Sequence, residues 1–206
     1  GMPYVSGYIK SVLAERKDTL VLDAGDAMEK GDMVAFETHS AIMYEAMGRI
    51  GYTAGVFGNH DVDSGAAYLH ECEAKAGMPL LCLNYAKEDG SPYFPASKIF
   101  EVNGVKVGVI GAVEPKGGAF LDRKAFVKAL AAEAARLKTE AHLVFVVGHL
   151  GSKDCLEFSA DASAVDVFFG GHVHEAIKEA YRSATGAFVV QAGSYARYVG
   201  RIELDV

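Results

Sequence analysis

Short apolar runs rich in branched residues alternate along this chain with longer segments of helical periodicity. In the longer segments apolar residues recur three and four positions apart, which predicts one apolar face on each helix. Such alternation is typical of a layered α/β or α+β domain. The predicted strands are residues 19–22, 55–57, 79–83, 143–147, 165–169 and 188–191, and the predicted helices are residues 5–15, 34–50, 64–76 and 122–138.

Two further segments have the alternating pattern of strands. In residues 98–113, Asn103-Gly104 separates two alternating runs, which is the strongest short signal for a β-hairpin. Residues 198–206 alternate as well and predict a last strand. Because the chain contains neither an internal repeat nor a linker-like stretch, residues 1–206 are expected to form one domain.

Composition narrows the class of protein. Half of the 206 residues are hydrophobic and 23% are charged, which indicates a globular domain with a substantial core and not a disordered chain. The formal net charge of −7 argues against binding to a nucleic-acid polymer or to an anionic membrane. The three cysteines, Cys72, Cys82 and Cys155, are too far apart for a CxxC site, so we expect small buried hydrophobic residues.

The apolar runs and the first residues of the chain bear on membrane insertion and on where the natural sequence begins. No apolar run approaches the roughly 20 residues of a membrane helix, and the start of the chain lacks the pattern of a signal peptide. Gly1 before Met2 is typical of a residue left after removal of an expression tag. The natural sequence is therefore expected to begin at Met2 or further upstream.

Candidate chemistry is concentrated where predicted strands end. Ligands of open α/β sheets bind at the carboxyl ends of strands, where glycine permits a tight turn. Four strands end in a small residue followed by a polar group that can bind a metal ion. The four segments are Leu22-Asp23-Ala24-Gly25-Asp26, Val56-Phe57-Gly58-Asn59-His60-Asp61, Val147-Gly148-His149 and Phe169-Gly170-Gly171-His172-Val173-His174.

Each segment alone has a simpler structural explanation. Asp26 could cap a helix or close a turn, and Asn59 suits a left-handed turn position. A lone His149 is more often a hydrogen-bonded core residue than a ligand. Four of the seven histidines nevertheless lie at these strand ends, and His172 and His174 are two residues apart, so that both imidazoles can face one side. Taken together, the segments favour metal binding.

The combined pattern resembles a known family. Gly25-Asp26, Gly58-Asn59-His60, Gly148-His149 and Gly171-His172-Val173-His174 occur in the order found in calcineurin-like metallophosphoesterases. The stretch Gly58-Asn59-His60-Asp61-Val62-Asp63 is similar to the 5′-nucleotidase and UDP-sugar hydrolase group. The resemblance implies an α+β fold of four layers, α/β/β/α, and a phosphoesterase that acts on a small phosphate ester. A nucleotide is one candidate ester, because the group includes nucleotidases.

The resemblance also implies a two-metal site. Asp26 would bridge both ions, Asn59, His149 and His172 would complete one site, and His174 would bind the other ion. A metal-activated hydroxide would attack the phosphorus, since paired ions lower the pKa of a bound water. Carboxylate, amide and imidazole donors without cysteine suit manganese, iron or zinc.

His60 would be the catalytic acid of such a site, because an imidazole near its neutral pKa can donate a proton to the leaving oxygen. Asp63 would hold the His60 ring, and its alternative is a cap of the helix predicted to start near Ser64. Asp61 is expected to hydrogen-bond a ligating imidazole.

The sequence departs from the family in two places. The family's first strand ends in Asp-x-His, and this chain has no such motif. Asp23 and His39 are the nearest substitutes, although Asp23 fits a local hydrogen bond better and His39 a surface position. The group's C-terminal substrate domain also has no counterpart here. We therefore expect about one metal ion per chain, weak hydrolysis and a substrate that the sequence does not specify.

Two explanations of the missing Asp-x-His motif remain open: a start placed too far downstream, or true loss of one metal site. They correspond to two hypotheses, a metal-dependent phosphoesterase and a single-metal domain with a regulatory or interaction role. The nucleophile elbow GxSxG is absent, which argues against other α/β-hydrolase chemistry. Metal identity, oligomeric state and compartment stay open, because a signal peptide could precede the printed sequence.

Overall fold

The computed structural model describes residues 1–28, 41–115 and 117–206, and its elements form stacked layers of helices and strands. The helices are α1 (Met2–Glu15), α2 (Ile42–Ile50), α3 (Asn59–Val62), α4 (Gly65–Ala76), α5 (Arg123–Lys138) and α6 (Ser152–Asp161). The strands are β1 (Leu22–Asp23), β2 (Ala54–Gly55), β3 (Ser97–Val102), β4 (Val105–Val113), β5 (Leu143–His149), β6 (Val167–Gly170), β7 (Tyr181–Arg182) and β8 (Phe188–Gln191).

The larger sheet has six strands in the order β3-β4-β5-β6-β8-β7. Its four central strands run parallel, and the edge strands β3 and β7 pair antiparallel. The predicted hairpin is confirmed as β3 and β4. Its two turn residues, Asn103 and Gly104, have φ of 52° and 80°, the left-handed pair that a two-residue hairpin turn requires.

The two faces of this sheet contact different layers. On β5, Val144 and Val146 pack against α5 and α6 in the largest apolar cluster. The alternate residues Phe145 and Val147 pack against the smaller sheet, in which β1 pairs parallel with β2. Side chains of successive strand residues point to opposite faces, so one buried strand serves both layers.

The smaller sheet is covered on its outer side by α1, α2 and α4. Tyr44 and Met47 of α2 and Leu69 of α4 are buried there with Phe57, which follows β2. The order of layers is therefore helices, six-stranded sheet, two-stranded sheet, helices, as the four-layer prediction states.

The three cysteines are buried free thiols, as predicted. In the described ranges, no helix combines the length and apolar content that crossing a bilayer requires.

Most predicted elements are present, with shifted ends, and some expectations were wrong. The predicted strand 79–83 forms only one bridge, between Gly55 and Leu80. Residues 198–206 contain no strand. Helix α6 and the short strand β7 were not predicted. Of the predicted helix 34–50, the part before residue 41 lies outside the described residues.

Candidate metal centre

Three polar side chains converge on one atom of a fourth, the Nε2 of His149. This nitrogen lies 3.1 Å from Asn59 Oδ1, 3.1 Å from Asp26 Oδ2 and 3.1 Å from His172 Nδ1. The side chains come from the loop after β1, the start of α3, the end of β5 and the loop after β6. The structure thus brings together four of the residues that the sequence predicts as metal ligands.

Hydrogen bonding fixes which atoms of His149 carry protons. Its Nδ1 lies 2.9 Å from the carbonyl oxygen of Ala24, which can only accept, so Nδ1 carries the hydrogen. In the neutral ring Nε2 is then a bare acceptor. Asn59 Oδ1 and the Asp26 carboxylate are also acceptors, so a neutral His149 has no proton to share with either.

Lone pairs that face each other at 3.1 Å repel unless a positive charge lies among them. Ligand atoms about 2.0–2.2 Å from a transition metal ion lie roughly 3–3.5 Å from one another. Asp26, His149 and His172 form a group whose candidate ligand atoms lie within 4.8 Å of one another. The donor set therefore fits a divalent cation, and metal binding by these residues stays a prediction.

The loops that carry these side chains adopt unusual backbone conformations. Asp26 and His172 have φ of 57° and 65°, in the left-handed region that non-glycine residues rarely occupy. Gly58 approaches Asp26 so closely that a Cβ at residue 58 would lie 1.9 Å from Asp26 Oδ1. Glycine at this position is therefore a steric requirement of the site.

Asp61 ties two of these loops together. Its carboxylate accepts hydrogen bonds from the backbone N–H groups of Gly58 (2.7 Å), Asp26 (2.8 Å) and Met28 (2.8 Å). The prediction that Asp61 binds a ligating imidazole is wrong for the described residues. The carboxylate is buried, and it satisfies amides that would otherwise lack partners at this turn.

Burial and neighbouring charges shift several pKa values. Burial alone would raise the pKa of Asp26, but the hydrogen bond and charge of His149 hold it below its usual value. Burial alone would lower the pKa of His149, but Asp26 raises it. Both shifts favour the charged pair, in which a protonated His149 donates its Nε2–H to the Asp26 carboxylate, and a cation bound among these atoms would take the place of that proton. Burial raises the pKa of Asp61 to about 6 and that of Asp23 to about 7.

His60 lies at the rim of this centre. Its backbone N–H donates to Asp26 Oδ1 (3.0 Å), and its ring Nε2 lies 4.0 Å from Asp26 Oδ2. The side chain is 33% exposed, so one side of the ring faces solvent. Asp63 is the C-cap of α3, and the next residue, Ser64, is the N-cap of α4. The alternative of Asp63 as the cap of α4 is therefore wrong, and its contact with His60 stays a prediction.

The remaining candidates lie apart from the converging group. His174 is exposed, and the edge of its ring packs on Tyr195 with 5.1 Å between ring centroids. Asp23 accepts a hydrogen bond from the backbone N–H of Gly25 (3.0 Å), the local role expected of it. His39 lies outside the described residues. Binding of a second ion by His174 stays a prediction.

Glu114 was not among the predicted site residues. Its Oε2 lies 3.7 Å from Nε2 of His172, on the side of the ring opposite to His149. A signal for it was present, since Glu114 is the polar residue that directly follows the second strand of the predicted hairpin.

Comparison with known proteins agrees with this geometry. Residues 3–176 match the family described as calcineurin-like phosphoesterase. This chain belongs to that family. Calcineurin-like phosphoesterases depend on divalent metal ions, and the converging group supplies part of such a site.

Relatives of this calcineurin-like phosphoesterase include larger hydrolases. It is 27% identical over 238 residues to endonuclease YhcR of Bacillus subtilis, covering 100% of this chain and 19% of that protein. It is 27% identical over 237 residues to a 5′-nucleotidase of Vibrio vulnificus, covering 94% of this chain and 42% of that protein. The chain thus spans less than half the length of these curated relatives.

A solved structure shares the fold. The NAD nucleotidase of Haemophilus influenzae superimposes with a TM-score of 0.80 at 20% identity, covering 95% of this chain and 40% of that chain. At this identity the likeness concerns the fold alone.

Proposed function

We propose that this protein is a metal-dependent phosphoesterase that hydrolyses small phosphate esters, with 5′-nucleotides as the first substrates to test. The observation that carries the proposal is the convergence of Asp26, Asn59 and His172 on His149 at 3.1 Å. The family match and the nucleotidase relatives support the same reaction class.

In this proposal Asp26, Asn59, His149 and His172 hold a divalent ion, with manganese, iron and zinc as the candidates. When bound, the ion supplies Lewis-acid stabilisation of phosphoryl charge and makes a water molecule more acidic. The carbonyl of Ala24 keeps the His149 Nε2 lone pair directed at the ion. The amide bonds of Asp61 hold the Asp26 loop against the start of α3.

His60 serves as the acid in this proposal. Its backbone N–H is hydrogen-bonded to Asp26, while its ring is partly exposed to solvent beside the metal centre. A protonated imidazole there donates to the leaving oxygen as negative charge develops on it. Asp63 orients the ring as a positioning residue.

Hydrolysis of an aryl phosphate with added Mn²⁺ or Zn²⁺ tests the proposal. We expect activity that a chelator removes and that returned metal restores. His149→Ala should abolish it, because the variant loses the central donor. His142→Ala is the matched control, since this exposed histidine precedes the opposite end of the same strand. Equal activity in His149→Ala, or activity that resists the chelator, would refute the proposal.

The substrate class needs its own comparison. The relatives include nucleotidases and an endonuclease, and the net charge of −7 disfavours a polymer of phosphates. We expect release of phosphate from nucleoside 5′-monophosphates and no cleavage of a DNA oligonucleotide. Cleavage of the oligonucleotide with no phosphate release would reverse this assignment.

A second candidate is a single-metal domain with a regulatory or interaction role. It is favoured by the exposed position of His174 beside Tyr195, outside the group formed by Asp26, His149 and His172. An ion bound with high affinity in a chain that hydrolyses neither an aryl phosphate nor a nucleotide would favour this candidate.

A further inference from the structure

Glu114 sits on the outer side of the candidate metal centre and faces one of its histidines. The ring of His172 lies between two groups: Nδ1 is 3.1 Å from His149 Nε2, and Nε2 is 3.7 Å from Glu114 Oε2. The two ring nitrogens therefore point in different directions, one into the centre and one toward a carboxylate.

The proton positions on the two histidines follow from these neighbours. His149 carries its hydrogen on Nδ1, because the carbonyl of Ala24 accepts it. Nδ1 of a neutral His172 can bind an ion through its lone pair only if the hydrogen of that ring is on Nε2. A carboxylate next to Nε2 stabilises this tautomer, since it accepts a hydrogen bond from N–H and repels a lone pair.

The backbone places Glu114 firmly. It follows β4, and the preceding residue Val113 pairs with His149 of β5. Asn84, which is fully buried, accepts a hydrogen bond from the Val113 N–H (3.0 Å) and donates one to the Val113 carbonyl (2.7 Å). A buried amide satisfied on both atoms by one residue fixes the end of the strand from which Glu114 projects.

The distance between Glu114 and His172 is that of an ion pair, somewhat longer than a hydrogen bond. The Glu114 side chain is 40% exposed, and several rotatable bonds separate its carboxylate from the backbone. A movement of about 1 Å closes the hydrogen bond.

We propose that Glu114 is a positioning residue that favours the Nε2–H tautomer of His172, the form whose Nδ1 lone pair is directed into the metal centre. The proposal rests on the proposed function for the identity of the ion. In the metal-free protein the acceptor Nε2 of His149 favours a hydrogen on His172 Nδ1, so Glu114 acts there by raising the share of the Nε2–H tautomer that can bind an ion. Outer-sphere partners of this kind change metal affinity by about 10–100-fold.

Two measurements on the same variants test this inference. The first is the tautomer of His172 in metal-free, isotope-labelled protein, read from nitrogen chemical shifts at about pH 8.5, where a neutral imidazole predominates. The second is the affinity for Zn²⁺, measured by competition with a chromophoric chelator. The variants are Glu114→Ala, Glu114→Gln and the control Glu101→Ala, which removes a charge from an exposed position on β3.

We expect Glu114→Ala to shift the His172 population toward the Nδ1–H tautomer and to weaken Zn²⁺ binding by about 10–100-fold. Glu114→Gln keeps an acceptor oxygen, so it should retain the tautomer and lose less than about tenfold in affinity. Glu101→Ala should change neither quantity.

Three outcomes would overturn the inference. They are an unchanged tautomer in Glu114→Ala, a weakened affinity without any tautomer change, which would make Glu114 a direct ligand, and an equal effect of Glu101→Ala. If the parent protein binds no Zn²⁺ or Mn²⁺, the proposed function fails, while the tautomer comparison still decides the role of Glu114.

Discussion

At the scale of single residues, His60 combines two properties that an acid needs. Its backbone is tied to the metal centre through Asp26 Oδ1, and its ring is partly open to solvent. The ring itself is not one of the converging donors, so removing it leaves that set intact.

For this reason we expect His60→Ala to lower the turnover of an aryl phosphate ester by about 100-fold or more, the usual contribution of a positioned acid. Metal content, measured by elemental analysis, should stay unchanged. Normal turnover would remove His60 from the mechanism, and loss of metal would make it a ligand. His142→Ala again serves as the control for removal of an exposed imidazole.

A second residue-scale prediction concerns Asp23. The residue is only partly exposed, and the protein atoms around its carboxyl group raise its pKa to about 7 from 3.8. A carboxyl pKa that is raised in the folded state stabilises the fold fully below the unfolded value, and this contribution is lost as pH rises through the folded value. Ionisation of Asp23 should therefore lower the free energy of unfolding progressively as the pH rises from about 4 to about 7.

Asp23→Asn keeps the acceptor for the Gly25 N–H and removes the ionisation. Relative to the parent, the variant should gain at least about 1 kcal/mol in free energy of unfolding between pH 5 and pH 8, since one pKa unit corresponds to about 1.4 kcal/mol. Urea denaturation of metal-free protein at the two pH values measures this. Parallel pH dependence of parent and variant would contradict it.

Residue types and their order predict the site better than they predict individual contacts. Asp26, Asn59, His149 and His172 meet because each lies at or shortly after the carboxyl end of a strand, two of these strands being in each sheet. The partners of Asp61 could not be predicted, because they are backbone amides that only the three-dimensional path of the Asp26 loop brings near. Glu114 was missed because a glutamate after a hairpin strand has a common explanation as a surface residue.

At the scale of elements, helices α1 and α2 each contain a glycine, and the two glycines have different surroundings. Gly7 lies on the exposed side of α1, and nothing is within 4 Å of the position a Cβ would take. Gly48 of α2 faces the end of α4, where a Cβ would lie 1.9 Å from the carbonyl oxygen of Ala76. Substitution of glycine by alanine should therefore stabilise the fold at residue 7 and destabilise it at residue 48.

We expect Gly7→Ala to raise the free energy of unfolding by about 0.5–1 kcal/mol, because alanine favours helix and loses less entropy on folding. Gly48→Ala should lower it by about 1–3 kcal/mol, because the two helices must separate. Chemical denaturation of both variants measures the pair. Stabilisation by both substitutions would show that α2 and α4 can move apart at no cost.

The elements that were predicted wrongly share a cause. Residues 79–83 are apolar and branched, but their backbone bonds go to different neighbours: Leu81 bonds to Gly55, Cys82 to Pro95 and Leu83 to Gly111. A strand needs a continuous neighbour, which no local pattern reports. Residues 198–206 alternate as a strand does, yet no strand lies beside them in the described ranges.

The unpredicted helix α6 shows the opposite problem. Its buried face includes Ser152 and Ser159 beside Cys155 and Phe158, so small polar residues weaken the apolar periodicity. The long central strands, by contrast, were predictable, because burial on both faces requires an apolar residue at every position.

At the scale of the whole molecule, the number of bound ions separates the hypotheses. One side of Asp26 carries Asn59, His149 and His172, and the other is expected to carry only His174. Two protein donors replace little of an ion's hydration shell, so the second site should be mostly empty.

We therefore expect the chain as printed to retain about one ion after saturation and desalting, and to hydrolyse phosphate esters weakly, since two-metal catalysis uses both ions. Elemental analysis together with an aryl phosphate assay measures both quantities. Close to two retained ions with full activity would show that other residues complete the second site.

The left-handed conformations at Asp26, His172 and His174, with φ of 57°, 65° and 58°, have a consequence for mutational drift. Each such position costs about 1 kcal/mol or more, which glycine would recover together with loss of the ligand. In a library selected only for folded protein, glycine should become enriched at these three positions. Lineages freed from selection on activity would then lose their metal ligands while their folds became more stable.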